Sequence, residues 1–179
     1  MEFIFCEVEL KNNVDTVIAL VALAGSVIAL TLSIYYWRRQ FRPIVTAAVR
    51  TKMAGLECIA YNLVLLNSGS IPARNIRLNV DESTLEDALG KDATKENKKR
   101  WLACFSNTQQ ITVLHNGAIT SCSFGTTRLN DQGFWKVRGK ITITIVYEGW
   151  FGKYYQESQT LEIVDSASFT GYSWGNGTS

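Results

Sequence analysis

The hydrophobic rhythm of the chain changes once, close to residue 38. From Val14 to Trp37, "VDTVIALVALAGSVIALTLSIYYW", apolar positions follow one another without a polar stripe, and Asp15 is the one charged residue. The uncharged stretch from Thr16 to Tyr36 reaches about 30 Å at about 1.5 Å per residue, the thickness of a bilayer hydrocarbon core. A spanning helix over residues 14–37 is therefore predicted. A buried core helix of this length would carry a polar stripe. A cleaved signal peptide would place basic residues ahead of a shorter apolar run, whereas the residues ahead of this one are acidic.

Beyond the span the period falls to two. "ITITIVY" puts Ile141, Ile143, Ile145 and Tyr147 on one face and Thr142 and Thr144 on the other, the pattern of a half-buried antiparallel strand. "EGWFGK" supplies a glycine turn, and "YYQESQTLEIV" returns as its partner to Val164. Upstream, "RPIVTAAVRT", "CIAYNLVLLN" and "ARNIRLNV" read as three further strands, with Gly69 and Pro72 in "NSGSIPA" as a turn between the last two. In "QITVLHNGAITSCSF" the Asn116-Gly117 pair stands between two β-rich runs and predicts a hairpin. Seven strands suffice for two packed antiparallel sheets.

One stretch breaks the rhythm. Residues 82–105, "ESTLEDALGKDATKENKKRWLACF", are rich in helix formers, with Leu85, Leu89, Trp101, Leu102 and Phe105 as apolar anchors. They are expected to form one or two short helices inserted between the sheets. The predicted fold is thus mainly β: an antiparallel β-sandwich over residues 38–165 with a helical insertion at 82–105, preceded by one N-terminal transmembrane α-helix. Residues 1–13 form a short extracytoplasmic N-terminus and 166–179 an irregular tail that packs by Tyr172 and Trp174.

Charge fixes the direction of the span. Residues 1–37 sum to −3, leaving +5 of the total +2 for the remainder. Arg38, Arg39, Arg42, Arg50 and Lys52 follow the helix while Lys11 alone precedes it. The positive-inside rule then places the N-terminus outside and the domain in the cytoplasm, at the inner membrane of the cell. Tyr35, Tyr36 and Trp37 are the aromatic belt, and Arg38, Arg39 and Arg42 lie among anionic lipid phosphates. The short connection to Pro43 keeps the sandwich near the membrane surface. Within the span, Ala22, Gly25, Ser26 and Ala29 share a face of small residues, so the helix either pairs with a copy of itself or serves as a lone anchor.

Composition and cysteines narrow the class. An apolar fraction of 46% with 19% charged residues excludes a disordered chain. Cys6, Cys58, Cys104 and Cys122 show no CxxC spacing, and three of them follow the span. That is a poor zinc site and a poor disulfide framework, and it suits a reducing compartment.

The strand after "RP", then "YNLVLLNSGSIPARNI" and "ITIVYEGWFGKYYQESQTLEI", resemble the immunoglobulin-like sandwiches of many bacterial proteins over residues 42–165. The resemblance implies a fold and little about function. It lacks the Cys…Trp…Cys framework of antibody domains, and the helical insertion departs from the simple pattern. In architecture, one spanning helix joined to a cytosolic β domain is also similar to the small membrane effectors of antiphage defence systems. That likeness implies clustering at the membrane.

Catalytic chemistry is sparse. His115, the single histidine, stands before the Asn-Gly turn, where a hairpin shoulder is its plain reading. Cys104 and His115 could meet in space as a Cys/His pair, but no spacing favours it. Phosphate-cradling glycine motifs are absent. No cofactor and no metal are expected. The basic run Lys95, Lys98, Lys99 and Arg100 beside Trp101 is either a solvated helix face or an anion site, for lipid or a phosphorylated ligand. Asn176-Gly177-Thr178 matches the glycosylation pattern by chance if the tail is cytoplasmic.

Two readings of different classes follow. The first is a non-enzymatic, membrane-anchored assembly module. It binds itself and a cytosolic protein, with lipid as a further partner, and in its sharper form it is a defence-type effector that clusters and perturbs the membrane. The second is a membrane-tethered receptor for a nucleotide-like anion. An enzyme with a Cys/His site stands behind both, and nucleic acid is not favoured as a partner.

Overall fold

Isoleucine at every second position makes the strand Lys140–Glu148, β6 in chain order, the centre of the core. Ile141, Ile143, Ile145 and Tyr147 are fully buried on one face of the strand Lys140–Glu148, while Thr142, Thr144 and Val146 on the other face are half-buried. The computed structural model describes the backbone of residues 2–55 and 57–164, with side chains over 15–55, 57–150 and 152–164. The chain divides into two compact units at Phe41/Arg42.

The first unit is α1, Glu2–Gln40, an unbroken helix with Arg38 and Arg39 in its last turn. Its segment Asp15–Gln40, 26 residues long, contains an 18-residue stretch of mean hydropathy 2.5 and is long and apolar enough to cross a membrane. The helix starts at Glu2, well before the predicted span, so residues 2–13 continue the same helical backbone.

The second unit is a two-sheet β structure, mainly β as predicted. Seven strands are described: β1 Val45–Ala54, β2 Cys58–Asn67, β3 Ala73–Val80, β4 Ile111–Leu114, β5 Ile119–Arg128, β6 and β7 Tyr154–Glu162. One sheet has the order β1-β2-β5 and the other β4-β3-β6-β7, with every pairing antiparallel. β2 and β3 begin and end where the pattern placed them. The β6/β7 hairpin is likewise present, with Tyr147 opposite Tyr155.

The Asn-Gly hairpin is a correction. β4 pairs with β3 and β5 with β2, so Asn116-Gly117 connects the two sheets instead of two paired strands. The end of β2 diverts the chain: Gly117 N–H donates to the Asn67 carbonyl at 2.8 Å, and Asn67 N–H donates to the Ala118 carbonyl at 3.2 Å. Those backbone bonds replace the ones a local hairpin would make.

The helical insertion is present as α2, Glu82–Ala88, α3, Lys95–Trp101, and a 3-10 turn, Ala103–Phe105. Asp81 caps α2 through Ser83 N–H and Thr94 caps α3 through Asn97 N–H, each satisfying a donor that the first helical turn leaves open. The insertion joins β3 to β4, neighbours in one sheet, and its end also packs against the other, with Phe105 edge-on to Phe124 of β5 at 6.0 Å. All five predicted anchors pack against the core.

The edges of the two sheets differ. Beside β1 and β7 they are stitched, because Ala47 N–H donates to Gln159 Oε1 at 2.8 Å. Beside β4 and β5 the sheets separate around a cavity.

Candidate functional site

The cavity is built by strand register. Leu63 stands opposite Cys122 and Leu65 opposite Thr120 on one sheet, and Ile76 opposite Ile111 on the other. Since residues directly paired across antiparallel strands share a face, these pairs supply the two walls, with Leu78 beside Ile76. The cleft has a volume of about 320 Å³, and Ala103, Cys104, Gln109, Gln110 and Ser121 complete its lining. Its floor is apolar and its rim carries amides and hydroxyls, the usual make-up of a small-molecule site. Gln110 is held in place: its Oε1 accepts from Arg77 Nη2 at 2.9 Å, and its Nε2 donates to Asn75 Oδ1 at 2.6 Å.

A second pocket, of about 370 Å³, lies next to the cleft and shares Ala103, Cys104 and Cys122 with it. Lys52, Arg100, Trp101 and Ser123 complete it. The Arg100 guanidinium carbon lies 4.5 Å from the centroid of the Trp101 ring, a cation–π contact that holds both side chains at the rim. Two positive charges and an indole thus stand beside an apolar slot.

Of the predicted anion residues, Arg100 and Trp101 line this pocket. Lys95, Lys98 and Lys99 are exposed on α3 and are not part of its wall. Lys52 comes from β1, at a register shift between Thr51 and Met53, and no local motif marks it. Sequence reasoning also missed the cleft, which depends on which strands end up facing one another.

Cys104 and Cys122 meet where the two pockets join. Their thiols are hydrogen-bonded to one another, which pushes the Cys104 thiol far up, with burial adding to the effect. The same bond draws Cys122 below the ordinary thiol value, against an opposing contribution from burial. The side chain beside Cys104 is therefore Cys122. His115 is exposed past the end of β4, and its carbonyl accepts from Ala118 N–H at 3.1 Å. Among the described residues, no group of three or more His, Cys, Asp or Glu side chains could hold a metal.

On α1, Ser26 Oγ donates to the Ala22 carbonyl at 2.8 Å, and a Cβ on Gly25 would meet nothing within 4 Å. Tyr35 and Tyr36 make an edge-on ring contact at 5.6 Å, and Trp37 lies 5.2 Å from Phe41. Arg42 begins the second unit, where its carbonyl accepts from Ser70 N–H at 3.3 Å. Tyr172, Trp174 and the Asn176-Gly177-Thr178 pattern lie outside the described residues.

Residues 12–166 match the model of a family described as a domain of unknown function (DUF8453), so the matched region takes in most of the apolar helix and the two-sheet unit. No curated protein and no solved structure gives a match.

Proposed function

The chain belongs to the family described as a domain of unknown function (DUF8453), and since that description carries no activity, we propose from the site alone that it is a membrane-anchored receptor. It is a non-enzymatic module, held at the inner membrane by α1 with its sandwich in the cytoplasm, and it binds a nucleotide-like anion. The observation that carries this reading is the junction of an apolar cleft with a pocket bearing Lys52, Arg100 and Trp101. The cleft takes a planar, largely apolar body, the amide and hydroxyl rim bonds its polar edge, and the two cations pair with phosphate. The sandwich itself is of immunoglobulin-like type. A β1-β2-β5 sheet facing a β4-β3-β6-β7 sheet supports this, because it corresponds to strands A-B-E facing C′-C-F-G.

Binding of inorganic phosphate, adenosine and AMP to the full chain in lipid nanodiscs tests the proposal. AMP, which carries both parts, binds more tightly than either fragment, weakens as salt rises, and loses about tenfold or more in the Lys52→Ala/Arg100→Ala variant. AMP binding no tighter than that of its fragments, or unchanged in the variant, overturns it.

A second reading, assembly through the helix, is favoured by one observation. The Ser26 hydroxyl is satisfied within its own helix, so a close helix–helix approach at Ala22, Gly25, Ser26 and Ala29 leaves no polar group bare. In this reading ligand binding is the signal and helix clustering, as in a defence-type effector, is the response.

A further inference from the structure

Cys104 and Cys122 reach one place from separate parts of the chain. Cys104 lies on the 3-10 turn that ends the insertion, and Cys122 lies on β5 opposite Leu63. Both are half-buried free thiols, and both line the cleft and the basic pocket. We propose that they form a two-thiol oxidation site, which a hydroperoxide converts into a reversible Cys104–Cys122 disulfide. The site goes beyond ligand binding and does not depend on it, since the chemistry needs only the two sulfurs and access to them.

The surroundings suit the reaction. Reactive thiols sit in electropositive, partly exposed settings, and Lys52 and Arg100 share the basic pocket with both sulfurs. Within that pocket the hydrogen bond from Cys104 supports a thiolate at Cys122, so the reaction is written with Cys122 as the attacking sulfur and Cys104 as the resolving one. With hydrogen peroxide, the Cys122 thiolate attacks one oxygen. A sulfur–oxygen bond forms as the oxygen–oxygen bond breaks, and the departing hydroxide takes a proton to become water. The Cys104 sulfur then attacks the sulfenic sulfur, displacing a second hydroxide that leaves as water with the Cys104 proton. Two electrons pass from the thiols to the peroxide, and a dithiol reductant returns them. Cys58 pairs across from Arg128 near the other end of β5 and provides an internal control.

Full-length protein in lipid nanodiscs is treated with hydrogen peroxide, blocked with N-ethylmaleimide, digested without reductant and mapped by mass spectrometry. The expected product is one linked peptide pair containing Cys104 and Cys122, two hydrogens lighter than its parts and separated again by dithiothreitol. Maleimide on both of these cysteines after peroxide treatment overturns the proposal. The roles are read with dimedone. Cys104→Ser strands a sulfenic acid at Cys122, giving an adduct about tenfold above that at Cys104 in Cys122→Ser, and equal adducts overturn the assignment. Phenylarsine oxide tests the pairing without substitution, because an arsenical bridging two adjacent thiols shields both from maleimide, and absence of that shielding also overturns it. AMP binding is scored separately, so failure of the disulfide leaves the receptor reading standing and the reverse holds too.

Discussion

Asn67 donates from Nδ2 to the Leu114 carbonyl at 3.0 Å, tying the last residue of β2 in one sheet to the last residue of β4 in the other. The same amide donates to the Ile71 carbonyl at 2.8 Å, while Oδ1 accepts from Ile44 N–H at 3.2 Å and Gly69 N–H at 3.0 Å. Asn67 is fully buried, so each of these backbone groups would lose its partner without gaining water. Asn67→Ala is expected to cost about 3 kcal/mol or more, read as a lower urea midpoint. Asn67→Asp does not rescue it, because the carboxylate keeps the acceptor, loses both donors and buries a charge. A loss below about 1 kcal/mol in the alanine variant would show that the knot is not what holds the sheets together here.

Gly125 interrupts β5 with φ of +85°, and a Cβ there would lie 2.8 Å from Phe134 Cδ1 and 3.0 Å from Trp135 Nε1. Neither ring can retreat easily. Both residues are fully buried, their rings cross edge-on at 4.8 Å, and the Trp135 indole N–H donates to the Phe124 carbonyl. Gly125→Ala therefore combines backbone strain with overpacking and is expected to cost about 2 to 3 kcal/mol, with weakened near-ultraviolet circular dichroism from the displaced indole. Gly117 also has positive φ, at +70°, but open space beside it. Gly117→Ala is expected to cost about 1 kcal/mol and leave the aromatic signal intact. Equal losses at the two sites would refute the packing argument.

The strands that were legible in the sequence are those whose pattern depends on their own residues. β3 and β6 alternate because one face of each meets the core, β2 stands out as an apolar run in which Leu63, Val64 and Leu65 are all buried, and the anchors of the insertion stood out against its charged residues. Pairing was not legible. The Asn-Gly signal describes a local turn, while the bonds from Asn67 that redirect it come from about fifty residues upstream. Phe134 and Trp135 went unread as core because they sit in an irregular segment without period, and only their adjacency in "GFW" hinted at burial. The site was half visible: Arg100, Trp101 and Cys104 form a local cluster, but Lys52 and Cys122 join them only through the sheets.

Tyr147 donates its hydroxyl to Glu157 Oε1 at 2.8 Å across the β6/β7 pair. Burial, and then the bond and charge of Glu157, raise its phenol above the ordinary value of about 10. The folded state thus holds this proton more tightly than the unfolded chain. Its contribution is complete below about pH 10 and is lost as pH rises from there toward the folded value. Tyr147→Phe is expected to cost about 1 kcal/mol at neutral pH, from the lost hydrogen bond, and to show a shallower alkaline decline. Thermal unfolding of both proteins from pH 7 to 11 measures this, and parallel curves across that range would rule out Tyr147 as the source of the alkaline loss.

The small-residue face of α1 makes its own prediction. Ala22, Gly25, Ser26 and Ala29 fall on one side of the helix by its 3.6-residue period, and Ala24 falls on the opposite side. In lipid, close backbone contact is a main source of helix association, and the internally bonded Ser26 hydroxyl does not stand in its way. Gly25→Ile with Ala29→Ile fills the notch while keeping the segment apolar, so insertion is preserved and pairing is lost. Crosslinking of the full chain in membranes is expected to give discrete oligomers that fall roughly tenfold in the double variant and persist in Ala24→Ile. Equal loss in both variants would trace the effect to helix bulk, and oligomers untouched by either would assign association to the sandwich instead.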